Sequence, residues 1–306
     1  MSFFYTSIDA EEIEEYFEEI FIMADGSDDR ASTMAKKISS SKHCVHKILI
    51  LRYEQQENVP IHELFPNADI QVINVTLNPT DFLYKLCDYA DFLSPEKVII
   101  DISCIHIPEM FILLKYFKIT NRKESLDVAY SVPFEYEFST EPFTSYCSYY
   151  GNLKTNDLLG FGGISDGTAH SQMIVFLGFE GVLSFKVTED IQYDNLLLVN
   201  NLPSFFPKYK DISVINNYDL LTSRHSKLMY VPANNPFETY NFLDTVLTEN
   251  EQACIAPLST KPVALGICLY AMKYPNVRVV YPMSEEYNPH STNSVLRTFF
   301  YNIPLT

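Results

Sequence analysis

The chain has 306 residues, enough for one large α/β domain or for two of ordinary size. With 47% hydrophobic and 20% charged residues it can bury a large interior, which excludes a disordered or low-complexity protein. Its 39 acidic side chains outnumber 22 basic ones, a formal net charge of -17 that opposes extensive sequence-independent binding of nucleic acid, because that grip needs clustered cations.

Residues 9–19 are Glu-rich, with Ile13, Tyr16, Phe17 and Ile20 at helical spacing, and predict an amphipathic lead-in helix capped by Ser7 or Asp9. This acidic start has no basic segment followed by an apolar run, so it does not read as a secretory signal, and a cytoplasmic protein is expected. Apolar and β-branched runs then alternate with helical patterns. Strands are predicted at 20–23, 47–51, 70–75, 97–101 and 126–130, and helices at 29–39, 79–92 and 108–118. Continuous apolar runs mean strands buried on both faces, and the strand–helix–strand rhythm means a parallel sheet covered by helices. Residues 141–170 hold Gly151, Gly160, Gly162, Gly163 and Gly167, five of only nine glycines in the chain, and read as a flexible connector or a flap over a cleft. Five more strands follow at 173–177, 195–199, 227–231, 253–256 and 277–281, with helices at 236–247 and 262–273. The apolar run 263–272 is about half of the roughly 20 residues a bilayer span needs, and reads as a buried helix.

The two halves use one pattern twice. Gly26-Ser27-Asp28 after the first strand of one half corresponds to Gly178-Phe179-Glu180 in the other (178 - 26 = 152). Asn78-Pro79-Thr80-Asp81 corresponds to Asn235-Pro236-Phe237-Glu238, in each case a Pro fitted to a first helical turn followed by an acid. The expected fold is therefore α/β: two Rossmann-like units with mostly parallel sheets, an internal duplication, spanning 1–140 and 171–306 with 141–170 as the connector.

Ligands in open parallel sheets bind beyond the carboxyl ends of strands, where strand order reverses and helix N-termini offer N–H groups. In the second half those ends carry Gly178 and Glu180 on one loop and Ser259-Thr260-Lys261 on another. Two hydroxyls and an ammonium at the mouth of a helix opening on Pro262 form an anion cradle, although the same residues serve as an ordinary helix cap beside a solvated lysine. In the first half Asp28, Asp29 and Arg30 are placed to orient a ribose or phosphate, or simply to cap a helix; no G-x-G-x-x-G follows the strand, which argues against a standard NAD site. Asp101, Ser103 and His106 bring an acid, a hydroxyl and an imidazole within six residues, though crowding them into one turn works against a relay geometry. Asp28/Asp29, Glu285/Glu286 and Asp101 offer hard oxygen ligands of the kind Mg²⁺ takes, but strand-end carboxylates commonly stand without metal. Neither the six cysteines nor the seven histidines show zinc-ligand spacing. No metal is assigned and no cofactor is named.

The turn Pro257-Leu258-Ser259-Thr260-Lys261-Pro262, leading from a fourth strand into a helix, resembles the corresponding turn of the CRISPR-associated Rossmann fold (CARF) domains. The resemblance covers mainly the second half, and the turn lacks the glycine common in that family. It implies binding of a cyclic oligonucleotide messenger by Ser259, Thr260 and Lys261, with Gly178 and Glu180 on the facing loop. From the pattern and the resemblance together, the expected function is recognition of a nucleotide or phosphorylated small ligand, by a sensor or accessory component of a bacterial antiviral defence system. It would work with a protein partner or a second copy and without a membrane. The alternatives are a nucleotide- or nucleic-acid-processing enzyme using Asp28, Asp29, Asp101 and His106, and a structural subunit presenting some of the 43 Tyr and Phe side chains (21 and 22).

Overall fold

A computed structural model describes residues 5–6, 20–26, 28–40, 45–53, 59–94, 97–120, 125–136, 149–150, 152–164, 170–223, 226–248, 252–283, 286–287 and 292–305. The chain divides into two units: Met1–Glu137 together with His290–Thr306, and Phe138–Pro289.

Unit 1 opens with β1 (Tyr5–Thr6), β2 (Ile20–Asp25), α1 (Asp29–Ser40) and β3 (Lys47–Arg52). It continues through α2 (Ile61–Leu64), β4 (Asp69–Asn74), α3 (Pro79–Asp88), β5 (Val98–Asp101), α4 (Ile107–Ile119) and β6 (Ser125–Tyr136). The chain returns to this unit for its C-terminal strand, Thr292–Pro304. Every residue of β2 and β5 is buried, as strands covered on both faces require. Phe21, Ile48, Ile50 and Ile99 from the sheet pack with Met34 and Ala35 of α1 in one core. Asn78 starts α3 by accepting the Thr80 N–H at 3.0 Å, with Pro79 in the first turn; such a cap contributes about 1 kcal/mol. The parallel strands lie in the order β4-β3-β2-β5-β6, which counted along the chain is 3-2-1-4-5, so strand order reverses between β2 and β5. The C-terminal strand pairs antiparallel with β6 from Thr292↔Tyr136 to Pro304↔Ser125, and β1 lies outside it.

Unit 2 begins with β7 (Tyr149–Tyr150), β8 (Lys154–Gly162), β9 (His170–Phe176), α5 (Gly181–Asp190), β10 (Tyr193–Asn201) and α6 (Pro207–Asn216). Then come α7 (Tyr218–Ser223), β11 (Ser226–Val231), α8 (Pro236–Val246), β12 (Ala253–Pro257), α9 (Lys261–Lys273), β13 (Arg278–Met283) and β14 (Glu286–Tyr287). Its sheet runs β11-β10-β9-β12-β13, again 3-2-1-4-5, with β8 antiparallel on β13 in the place the C-terminal strand holds in unit 1. β7 and β14 form a separate two-stranded pair. Asn235 caps α8 by accepting the N–H groups of Phe237 and Glu238, the counterpart of Asn78. Both units are thus Rossmann-like and mostly parallel, as the repeated pattern predicts.

Three expectations change. The segment 141–170 is not simply a connector, because Lys154–Gly162 is the edge strand β8, tied to β13 by a 2.6 Å bond from Arg278 Nε to Asp157. Its polar, Gly-containing sequence hides a strand that exists only because β13 gives it an antiparallel partner. Gly163, at φ 70°, then turns the chain off that edge against the Arg278 backbone. The span 171–306 is likewise not one unit, since His290–Thr306 belongs to unit 1; a partner strand about 160 residues away leaves no local signal. Helices α2, α5, α6 and α7 are additional to the predicted set. The expected lead-in helix 9–19 lies outside the described residues, as do Gly151, Gly167 and Glu285. Among the described residues, no helix is long and apolar enough to cross a membrane.

Candidate ligand site

In unit 2, β9 and β12 flank the point where strand order reverses, and their carboxyl ends set two loops side by side. Leu258 N donates to Phe176 O at 3.1 Å. A Cβ added at Gly178 would stand 2.1 Å from Leu258 O, so only glycine lets the two strand ends run this close. The Gly178–Glu180 turn is held from the α6–α7 side: Ser213 Oγ and Asn217 Nδ2 each donate to Gly178 O at 3.0 Å, and Asn216 Nδ2 donates to Phe179 O at 2.6 Å. Glu180 is the N-cap residue of α5 and makes no side-chain capping bond.

Opposite this turn stands Ser259-Thr260-Lys261. Thr260 is the N-cap residue of α9, yet its hydroxyl donates to Ala233 O at 2.6 Å rather than accepting from the first turn of the helix. The positive end of a 13-residue helix, with Lys261 as its first residue and Pro262 as its second, therefore opens toward the strand ends without a side-chain cap. Beside it lies a residue that the sequence pattern did not single out. Asn201 ends β10, donates Nδ2 to Ser259 Oγ at 2.5 Å, and is only 8% exposed. Its backbone N–H is accepted by Asn200 Oδ1 at 2.7 Å, and its own Oδ1 has no hydrogen-bond partner. A buried carbonyl oxygen left without a donor costs about 1–3 kcal/mol, and Asn216 Oδ1 and Asn217 Oδ1 by the Gly178 turn are likewise unpartnered.

The equivalent end of unit 1 is closed on itself. Asp28 accepts the Arg30 backbone N–H at 2.8 Å, Arg30 Nη2 at 2.8 Å and Thr292 Oγ1 at 2.8 Å. Burial raises the Asp28 carboxyl, but the Arg30 hydrogen bonds and charge, together with Thr292, outweigh it and hold it below its ordinary value. Asp29 accepts the Ser294 N–H at 3.0 Å. These residues fasten the C-terminal strand to the start of α1. Ser103 Oγ donates to Asp101 and accepts the Ser131 N–H at 2.7 Å. A hydroxyl bonded directly to the acid leaves no room for the imidazole between them that a relay needs. The His106 ring instead stacks on Tyr53 with centroids 3.8 Å apart, and the Tyr53 hydroxyl accepts the His106 N–H at 3.0 Å. Glu109 is buried nearby, 3.5 Å from that hydroxyl. Hydrogen bonds thus tie Asp28 to Arg30, Asp101 to Ser103 and the His106 N–H to Tyr53, an arrangement that is not an acid–imidazole–hydroxyl relay. Where α9 begins Thr260-Lys261-Pro262, α4 begins His106-Ile107-Pro108, with Ile107 buried in the place of the cation.

Among the described residues no group of three or more His, Cys, Asp or Glu is arranged to hold a metal ion. An open groove of about 440 Å³ lined by Gln172, Asn195, Lys227 and Met229 lies toward the starts of β9, β10 and β11, at the opposite end of those strands from Gly178 and Asn201. It has neither a helix N-terminus nor an orphaned polar atom, so the strand-end site is the stronger candidate. No protein-family model matches the chain, and no curated protein matches its sequence.

Proposed function

We propose that unit 2 recognises a nucleotide or another small phosphorylated ligand at the carboxyl ends of β9, β10 and β12. The observation that carries this is the pairing of complementary groups in one place: the uncapped α9 start with Lys261, which favours an anion, and the buried, unpartnered Asn201 acceptor beside it, which requires a donor. A nucleotide brings both kinds of group, whereas a simple anion satisfies only the first. Gly178 and Glu180 supply the facing wall, and Ser259 is held in place by Asn201. A sensor or accessory role in bacterial antiviral defence, with a second copy or another protein giving the output, is supported by the likeness of the Pro257–Pro262 turn to CARF domains. The bonded state of Asp28, Asp29, Asp101 and His106 favours recognition over chemistry. Thermal-shift measurements against nucleotides and cyclic oligonucleotides test the reading. A ligand should raise the melting temperature of the wild type and fail to do so with Lys261→Ala; an unchanged shift in that variant refutes the site.

A further inference from the structure

We infer that Asn201 reads a ribose hydroxyl, making the site selective for ribonucleotides over their deoxy counterparts. The inference rests on the nucleotide reading above and adds to it the part of the ligand that is discriminated. β10 is the second strand of the doubly wound order, and Asn201 at its end follows the first-strand Gly178 by 23 residues (201 - 178). In dinucleotide-binding folds an acceptor at the end of the second strand, about 20 residues beyond the first glycine turn, bonds the ribose. Asn201 has the attributes of such an acceptor. Nδ2 is committed to Ser259 Oγ at 2.5 Å, which fixes the amide plane and leaves Oδ1 as the acceptor that still lacks a donor. The side chain is more than nine-tenths buried, and Oδ1 is unpartnered.

Two comparisons within the molecule sharpen this. A neutral amide at this position accepts from a hydroxyl without repelling a phosphate drawn to the nearby α9 start, as a carboxylate would. In unit 1 the residue directly after the second parallel strand is Tyr53, whose ring and hydroxyl cover the α4 start through His106. Unit 2 has a shorter side chain in that place, whose buried Oδ1 is unpartnered.

Isothermal titration of the full chain with ATP, 2′-deoxy-ATP and 3′-deoxy-ATP tests the inference. The wild type should bind ATP about tenfold or more tightly than at least one deoxy form, since losing one hydrogen bond to a buried group costs about that factor. Asn201→Leu should bind all three alike, while Asn201→Asp, which keeps the acceptor, should retain the preference. Because N201L removes the bond to Ser259 and can unfold, N201D serves as the second arm: loss of the preference in N201D means that Nδ2 was the reading group and overturns the inference. Equal binding of the three probes by the wild type overturns it as well, while leaving the nucleotide reading standing. A preference that persists in folded N201L assigns the selectivity to another residue and has the same effect. If ATP does not bind, the ribose inference falls; if the nucleotide and cyclic-oligonucleotide screen is negative too, the underlying reading falls with it.

Discussion

Gly178→Ala and Gly26→Ala make a matched pair, because each glycine follows the first parallel strand of its unit and the two surroundings differ sharply. At Gly26 an added Cβ meets nothing within 4 Å; at Gly178 it would lie 2.1 Å from the backbone oxygen of Leu258. Real Cβ–oxygen contacts stop near 3 Å, so the ends of β9 and β12 must part by about 1 Å to accept the methyl. The obstacle is backbone, and it is anchored by the Leu258 N to Phe176 O bond and by parallel pairing as far as Pro257↔Phe176, so no side-chain rotation relieves it. Overpacking of this kind costs about 1–3 kcal/mol, and alanine returns roughly 0.4–1 kcal/mol by restricting the unfolded chain. The expected net loss for G178A is about 1.3 kcal/mol, against a small gain for G26A. For a unit of this size that is a fall of about 3–5 °C in melting midpoint. The chain has no tryptophan, so far-UV circular dichroism is the appropriate probe, with hydrogen-exchange mass spectrometry assigning the loss to unit 2. Should G178A melt with the wild type, or G26A fall as far, the close approach of β9 and β12 is not what fixes this glycine.

Asp28→Asn should destabilise unit 1 by about 2–3 kcal/mol at pH 7, since it leaves the Arg30 guanidinium, itself only 11% exposed, without its counter-charge. The folded Asp28 carboxyl titrates below its ordinary value of 3.8, so its contribution is complete above that pH and lost as pH falls through the depressed value. Urea unfolding at pH 7 and again near pH 3 should therefore show the gap between wild type and D28N closing in acid; a gap that is constant with pH contradicts the ion pair. Burial raises the Cys254 thiol to about 12, against a smaller opposing pull from Arg278, whereas Cys87 is exposed. Alkylation of the folded protein at pH 8, read by peptide mass spectrometry, should label Cys87 and spare Cys254 and Cys268 until denaturant is added. Early labelling of Cys254 would mean that the core around β12 opens readily.

Much of the architecture was legible because it rests on local patterns. The central parallel strands are continuous apolar runs, the outer ones β4 and β11 are more mixed, and the Asn-Pro starts of α3 and α8 announce themselves through capping chemistry. What stayed hidden depends on distant partners. β8 reads as a polar, Gly-containing linker until β13 is laid beside it, and the C-terminal strand acquires its place only through β6. At the site, Lys261, Thr260, Ser259 and Gly178 were readable from their position after strands one and four. Asn201, on which the proposed site turns, was not. Asn200-Asn201-Leu202-Pro203 looks like an ordinary turn, and the orphaned Oδ1 becomes apparent only once Ser259 is known to hold the other end of the amide. In unit 1 the failure ran the other way: Asp28, Asp29 and Asp101 carry the chemistry of a reactive site, but the strand that occupies Asp28 and Asp29 lies some 265 residues further along.

The return of the chain to unit 1 for its last strand sets a thermodynamic order between the units. Pairing Thr292 with Tyr136 closes a loop of 156 residues (292 - 136), an entropic cost on the order of 4 kcal/mol for a flexible chain. Once unit 2 is folded, Lys154 and Met283 sit opposite one another on β8 and β13. The path still to be closed from Tyr136 to Thr292 then shrinks to at most the 18 residues up to Lys154 and the 9 after Met283, which the β7–β14 pair shortens further. Logarithmic scaling makes that shorter closure cheaper by about 1.5 kcal/mol, or roughly tenfold in the equilibrium for docking the C-terminal strand. The hydrogen bonds that place β8 on β13 thus act on β6 as well, with no contact needed, by deciding how much chain must be gathered in before the first sheet can be completed.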